Sequence, residues 1–429
     1  MRDMRILSVV LVGVLLAGTP AAASTRAASP VVAQAQWLAE VSSRLPVSDV
    51  EAREHLSPRL FDRLGGAAGL GDLLAGPLRL ASVRTQPLRA DTNAFALFDG
   101  VGGQRHAVLV ADGAGRLDHL LLTSVPTSWP EVDRRLRALA PRASILAAEV
   151  GRDGRCRPRH GLDANRPRPM GSAFKLYVLG AVAHAVRTGT ASWDEPLAVR
   201  DEWKADPGGV VGGLPAGTVL PLREYASHMI FYSDNSATDH LIHRVGRGAV
   251  QGQLWRFGMR APAANVPFLS AREMFQLKGV DYPTHADAYL ALDRPGRLVY
   301  LSDVVAGLPA PTPGWKEPRY IDDIEWFASP ADLCRAFAGL RAQRQAPVDA
   351  ALSQQGTTEL GLAQARWPAG WFKGGSEPGV LSRSYLATTA DGRTFVVSMM
   401  ISDPAASVND ADHVAELLAL GTGAFQLLE

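Results

Sequence analysis

Lysine is scarce in this chain: five lysines stand against 39 arginines in 429 residues. Cysteine is scarcer still, with only Cys156 and Cys334. Two cysteines exclude a dense disulfide framework and a four-cysteine zinc site. In an oxidising compartment the two can pair, or both can be buried thiols, and their spacing does not choose between these. The formal net charge is only +1, which leaves no basis for a nucleic-acid partner or an anionic membrane surface. His240 and His243 are three apart with no third ligand nearby. They read as helix-face residues, so neither a metal nor a cofactor is expected. Gly69 and Gly71 neither follow a strand nor open a helix, so that spacing reads as loop and not as a nucleotide-binding turn.

Beyond the N-terminus no run is long and apolar enough to span a bilayer. At the N-terminus, Arg2 and Arg5 precede the 13-residue apolar stretch Ile6–Gly18, followed by Thr19-Pro20-Ala21-Ala22-Ala23-Ser24. This is the charged, apolar and small-residue sequence of a signal peptide, residues 1–23, with cleavage expected after Ala23. The expected product is a secreted, extracytoplasmic monomer without a membrane segment.

Residues 30–127 read as a small α+β module. Val32–Arg44 has helical periodicity, Asp49 can cap a second helix, and Leu56–Leu64 forms a third. Gly65–Gly76 reads as a loop. Strands are expected at Leu78–Thr85, Asn93–Gly100, Gln104–Ala111 and Leu117–Val125. On this element order alone, the module resembles the cystatin-like cone of ketosteroid isomerase and nuclear transport factor relatives. No acid–base constellation in it can be carried over.

A second domain, 128–429, opens at Ser128-Trp129-Pro130-Glu131, which has the form of a capping box. Strands Ser144–Gly151 and Cys156–Leu162 lead to a long apolar helix after Pro169. A helical, loop-rich block fills Asp201–Ala328, and Ser329-Pro330 starts another helix. Strands Gly370–Glu377, Val380–Ala390 and Arg393–Ile401 and the helix Val408–Phe425 complete the chain. Sheet-forming segments at both ends of this domain predict an antiparallel sheet covered by helices.

Three stretches carry chemistry. In Met170-Gly171-Ser172-Ala173-Phe174-Lys175, Ser172 and Lys175 are three apart at a helix start and share a face. A serine needs a base to become a nucleophile, and a buried lysine can lose its proton where arginine cannot. A chain that elsewhere prefers arginine keeps lysine here and again at Lys373. Tyr232-Ser233-Asp234-Asn235 follows downstream, and Trp371-Phe372-Lys373-Gly374-Gly375-Ser376 lies on a strand.

Ser-x-x-Lys, Ser-Asp-Asn and Lys-x-Gly in this order resemble the penicillin-recognising serine hydrolases, class A β-lactamases in particular, over residues 128–429. The resemblance implies an α+β β-lactamase/transpeptidase-like fold. It also implies a nucleophile, Ser172, with Lys175 as proton acceptor and Ser233 as proton relay. Asn235 would bind the substrate's side-chain amide, and Lys373 and Arg383 would face its carboxylate. The N–H groups of Ser172 and Ser376 would form an oxyanion hole. Asp234 would brace its loop, and Gly374 and Gly375 would clear the strand edge for substrate.

Two departures stand out. The third motif is Lys-Gly-Gly, so Ser376 would have to supply the hydroxyl that Thr gives elsewhere. The Glu-x-x-Leu-Asn pattern that activates deacylating water in class A enzymes is absent between Asn235 and Ser329, where Glu273 and Glu325 are the acids considered. The expected activity is therefore weak hydrolysis of β-lactams or related esters. The alternatives are a D-alanyl-D-alanine peptidase and a β-lactam-binding protein with little turnover. The pairing of a small module with such a domain resembles the two-domain β-lactamase-like proteins of clavulanic-acid biosynthesis clusters.

Overall fold

The computed structural model describes residues 29–85, 92–310 and 314–429. The expected leader lies outside them. Strands Leu78–Thr85, Asn93–Gly100, Gly103–Ala111 and Leu117–Ser124 form an antiparallel meander in sequence order. The helix Pro30–Ser42 buries Val31, Ala35, Leu38 and Val41 against this sheet. That spacing is the apolar stripe of a helix with one wet face.

Two local readings are corrected here. Gly65–Gly76 is not a loop: Gly66–Leu74 is helical, because Ala67, Leu70 and Leu74 recur at helical spacing and are buried. Burial of that stripe outweighs the glycine content. Asp49 does not cap the second helix. Ser48 does, accepting from Glu51 N at 3.2 Å, while Asp49 accepts from Ala67 N at 3.0 Å across the helix pair.

The larger part of the chain is built on a five-stranded antiparallel sheet. Its order is Ala369–Glu377, Val380–Thr388, Thr394–Ser402, Arg142–Val150 and Cys156–Leu162. The first and last strand groups of this unit thus meet edge to edge, and every residue of Thr394–Ser402 is buried. Helices cover both faces, as expected. Val396 and Met400 pack under Lys175–Arg187 and Pro330–Gln343, and Val397 and Met399 under Trp129–Leu139 and Ala411–Gln426. Pro330–Gln343 starts with a complete Ser329/Asp332 capping box. The box expected at Ser128 does not close: its hydroxyl makes no cap bond, and Glu131 accepts from Thr127 N at 3.2 Å instead.

The module meets the larger unit through Val108, which joins the cluster under the Ala411–Gln426 helix, and through buried His106, whose Nε2–H donates to Glu359 O at 2.8 Å. No helix among the described residues is long and apolar enough to cross a membrane.

The two cysteines are joined. Cys156 on the edge strand bridges to Cys334 on the Pro330–Gln343 helix across 178 residues. The cross-link removes chain entropy from the unfolded state. Reduction is expected to lower unfolding stability by about 2–4 kcal/mol, read from denaturant melts with and without reductant.

Candidate active site

The segment Arg168–Pro169 pairs with Phe327–Ala328, and Met170 N donates to Trp326 O at 2.8 Å. This anchor stops the chain just before Gly171. Gly171–Phe174 then forms a single 3₁₀ turn, and the α-helix begins only at Lys175. Ser172 is therefore on a turn and not on the first α-helical turn that its spacing predicts. Gly171 has φ +50°, and a Cβ there would lie 2.7 Å from Ser376 N. A Cβ on Gly375 would lie 2.2 Å from Met170 O and 2.4 Å from Ser172 N. The strand end and the turn of Ser172 thus touch backbone to backbone, which only glycine permits at either place. This contact holds the turn of Ser172 beside the N–H of Ser376.

Lys175 is fully buried, and Phe174 stacks on Trp326 at 3.7 Å beside it. Lys175 Nζ donates to Ser172 Oγ at 3.2 Å, Ser233 Oγ at 3.1 Å and Asn235 Oδ1 at 2.6 Å, and it also contacts Ser233 O. Lys373 Nζ reaches the same Ser233 Oγ at 3.0 Å and donates to Gly374 O at 2.7 Å. The structure therefore brings Ser172, Lys175, Ser233 and Lys373 into one hydrogen-bonded line, with Ser172 and Ser233 half-buried.

Ser233 holds φ +57°, a region that non-glycine residues seldom occupy. Asp234 secures it: its carboxylate accepts from Ala237 N at 2.8 Å, capping the Asn235–Val245 helix, and from Val211 N at 2.7 Å. This is the bracing role expected of it. Asn235 is nearly buried, and its Nδ2 donates to Pro207 O at 3.0 Å. Both ends of its amide thus have protein partners.

Burial dominates the electrostatics. The Lys175 amine is brought down to about 7 by desolvation, against a partial opposing pull from Asp234 and Asp239. Lys373 is also pushed well down, by burial first and then by Lys175 and Arg383. An amine titrating near neutrality, 3.2 Å from a serine hydroxyl, can take that hydroxyl's proton.

Two expected residues sit differently. Ser376 is exposed, and its backbone N–H is the part that faces the turn. Arg383, expected to face a substrate carboxylate, is already in an ion pair with Glu359 and donates from Nε to Tyr385 Oη at 2.9 Å. Glu359 neutralises it, because burial of a lone guanidinium would be costly. His106 of the module grips the backbone of that same Glu359 and is lowered to about 4 by its own burial.

Four residues here were not singled out in the sequence as site-forming: Glu325 (considered only as a deacylating acid), Glu359, Glu377 and Lys278. Glu325 is buried and accepts from Gly171 N at 2.8 Å through Oε1. Glu273 caps Ala271–Gly279 and pairs with Arg247. Lys278 and Glu377 form a buried ion pair at 2.6 Å. The scarcity of lysine that marks Lys175 and Lys373 marks Lys278 as well, and that was the available signal. His240 accepts from Arg200 N at 2.8 Å inside the fold.

The sequence of residues 142–422 matches the family model described as the β-lactamase enzyme family. No curated protein sequence matches the chain. Among solved structures, a β-lactamase from Sphaerobacter thermophilus DSM 20745 is similar at 24% identity and TM-score 0.47, covering 70% of this chain and 96% of its own. PBP-A is similar at 16% identity and TM-score 0.46, covering 71% and 100%. A β-lactamase from Chitinophaga pinensis DSM 2588 is similar at 16% identity and TM-score 0.46, covering 70% and 98%.

The Gly375 contact makes a sharp prediction. Gly375→Ala must displace the Ser172 turn, since the atoms it meets are backbone. Reaction of Ser172 with p-nitrophenyl acetate, followed by intact mass, is expected to slow about 100-fold while circular dichroism stays native.

Proposed function

Because the chain belongs to the β-lactamase enzyme family, we propose that it is an exported serine hydrolase that forms an acyl-enzyme at Ser172 with β-lactams or related esters and releases it slowly. The observation that carries this reading is the 3.2 Å approach of the buried Lys175 amine to the Ser172 hydroxyl.

In the proposed reaction neutral Lys175 accepts the Ser172 proton as Oγ bonds to the carbonyl carbon. The carbonyl oxygen becomes the oxyanion, held by the N–H groups of Ser172 and Ser376. When the tetrahedral intermediate collapses, the carbon–nitrogen bond of a lactam, or the carbon–oxygen bond of an ester, breaks. The proton returns from Lys175 through Ser233 Oγ, 3.1 Å away, to the leaving atom. Lys373, on the far side of Ser233, is the amine left to meet a substrate carboxylate, whose negative charge would favour its protonated form. Arg383, paired with Glu359, stands behind it, and Asn235 would meet the substrate's side-chain amide by exchanging one of its present partners.

Release needs an activated water. Among the described residues, the hydrogen bonds of Ser172, Lys175 and Ser233 run to one another, to Asn235 and to Lys373, and none runs to a carboxylate. This favours slow deacylation, and a β-lactam-binding role with little turnover is the second reading. We place the chain with the two-domain β-lactamase-like proteins of clavulanic-acid clusters, with residues 30–127 as the leading module.

Two experiments test this. On mixing with penicillin G, intact mass is expected to show a persistent single adduct that is absent in Ser172→Ala. Rapid loss with product would refute slow release, and no adduct would refute β-lactam recognition. The acylation rate should rise with pH through about 7, because the Lys175 amine, lowered from 10.5 by burial, becomes the neutral base above that point. The same shift costs stability. The unfolded amine keeps its proton up to 10.5, so the penalty is absent above that pH and grows as pH falls toward about 7.

A further inference from the structure

Beneath the nucleophile's turn lies a charged cluster that the proposed hydrolysis does not use. Glu325, Glu377 and Lys278 are 4%, 5% and 0% exposed and come from a loop, a strand end and a helix. Glu325 Oε1 accepts from Gly171 N at 2.8 Å, next to Ser172. Glu377 directly follows Ser376, and its Oε1 accepts from Lys278 Nζ at 2.6 Å. Gly171 and Ser376 pack backbone to backbone, a Cβ on Gly171 lying 2.7 Å from Ser376 N, so the two buried carboxyl groups, one bonded to Gly171 N and the other on the residue after Ser376, lie under the same contact. Yet Glu325 Oε2 and Glu377 Oε2 are both buried with no donor.

Ionised carboxylates only accept, so neither group can satisfy the other's orphaned oxygen unless one of them carries a proton. One proton between them supplies the missing donor. It leaves one negative charge on the pair, which the Lys278 ammonium balances. Fully ionised, the cluster would bury an uncompensated charge, which proteins avoid. The direction of the Glu325 carboxyl agrees: burial first, then the Glu377 charge, raise it well above the usual range, against a smaller pull from Lys278. The charged groups facing it are Glu377 and Lys278. Arg319 joins from the same side, donating to Lys278 O at 2.7 Å.

We propose that Glu325, Glu377 and Lys278 form a one-proton positioning triad that holds the Gly171–Ser172 turn against the Ser376–Glu377 strand end and so sets the spacing of the two oxyanion-hole N–H groups. The proposal rests on the reading of those groups as the oxyanion hole. The three are positioning residues, since none touches the reacting atoms. Loss of the shared proton at alkaline pH would set two carboxylates against each other under the turn and slow acylation, giving a descending limb above the rise due to Lys175.

The first test does not involve activity. The infrared difference between wild type and Glu325→Gln at neutral pH is expected to contain a protonated-carboxyl stretch that disappears at alkaline pH. The raised Asp239 carboxyl cancels in that difference. The band should persist on a Ser172→Ala background, and its absence overturns the shared proton. The second test is acylation by penicillin G. Glu325→Leu is expected to slow it at least about tenfold. Glu325→Gln, whose amide can donate to Glu377 while its oxygen accepts from Gly171, is expected to restore most of the rate and to lack the alkaline limb. A normal rate in Glu325→Leu, or an unchanged limb in Glu325→Gln, overturns the positioning role. If Glu325→Leu does not fold, the band and the Glu325→Gln limb decide. A wild type with the band but no adduct overturns the acyl-enzyme reading, and the positioning role with it, while leaving the shared proton standing.

Discussion

The site depends on one buried amine. Among the described residues Lys175 has no carboxylate in hydrogen-bond contact; its partners are the oxygens of Ser172, Ser233 and Asn235. A charged ammonium there is poorly compensated, so burial drives it toward the neutral form that a base requires. Each neighbour can be understood as serving that arrangement. The 3₁₀ turn ends at Lys175 and points its stem inward. The left-handed backbone of Ser233 is energetically unfavourable and persists because Asp234 secures the residues on either side of the loop. Lys373 then meets Lys175 across a single hydroxyl, and the Lys175 charge adds to the burial that pushes the Lys373 amine down.

The residues on that line were legible in the sequence because the chemistry dictates both type and local spacing. A lysine three places after a serine at a helix start has a geometric meaning without any tertiary information. The order of sheet-forming segments was legible for a similar reason: alternation and turn dipeptides are local signals. Their long-range partners were not. Glu325 meets Gly171 across 154 residues, Lys278 meets Glu377 across 99, and Arg383 meets Glu359 across 24. Nothing in the composition of those segments says which charge will be buried beside which. Arg383 shows the cost of this. Its position one strand from Lys373 suggested a free cation, and only the fold reveals the acid that neutralises it. The helix Gly66–Leu74 failed differently, since its three buried apolar residues mattered more than its glycines.

Acidic groups are also distributed in a way that bears on turnover. Of the two acids considered for deacylation, one is drawn into the support of the Gly171 turn and the other into a helix cap. Both accept from backbone N–H groups, Glu325 from Gly171 and Glu273 from Ser270. Among the described residues no carboxylate is hydrogen-bonded to the Ser172 hydroxyl.

The grip of His106 on Glu359 reaches further than its single 2.8 Å bond. Glu359 balances Arg383, and Arg383 is among the charges felt by Lys373. A route therefore runs from the leading module to the Lys373 amine, through one backbone carbonyl and one ion pair. Exchange or deletion of the module in a descendant gene would strip a support from that route and uncover the apolar side of the C-terminal helix.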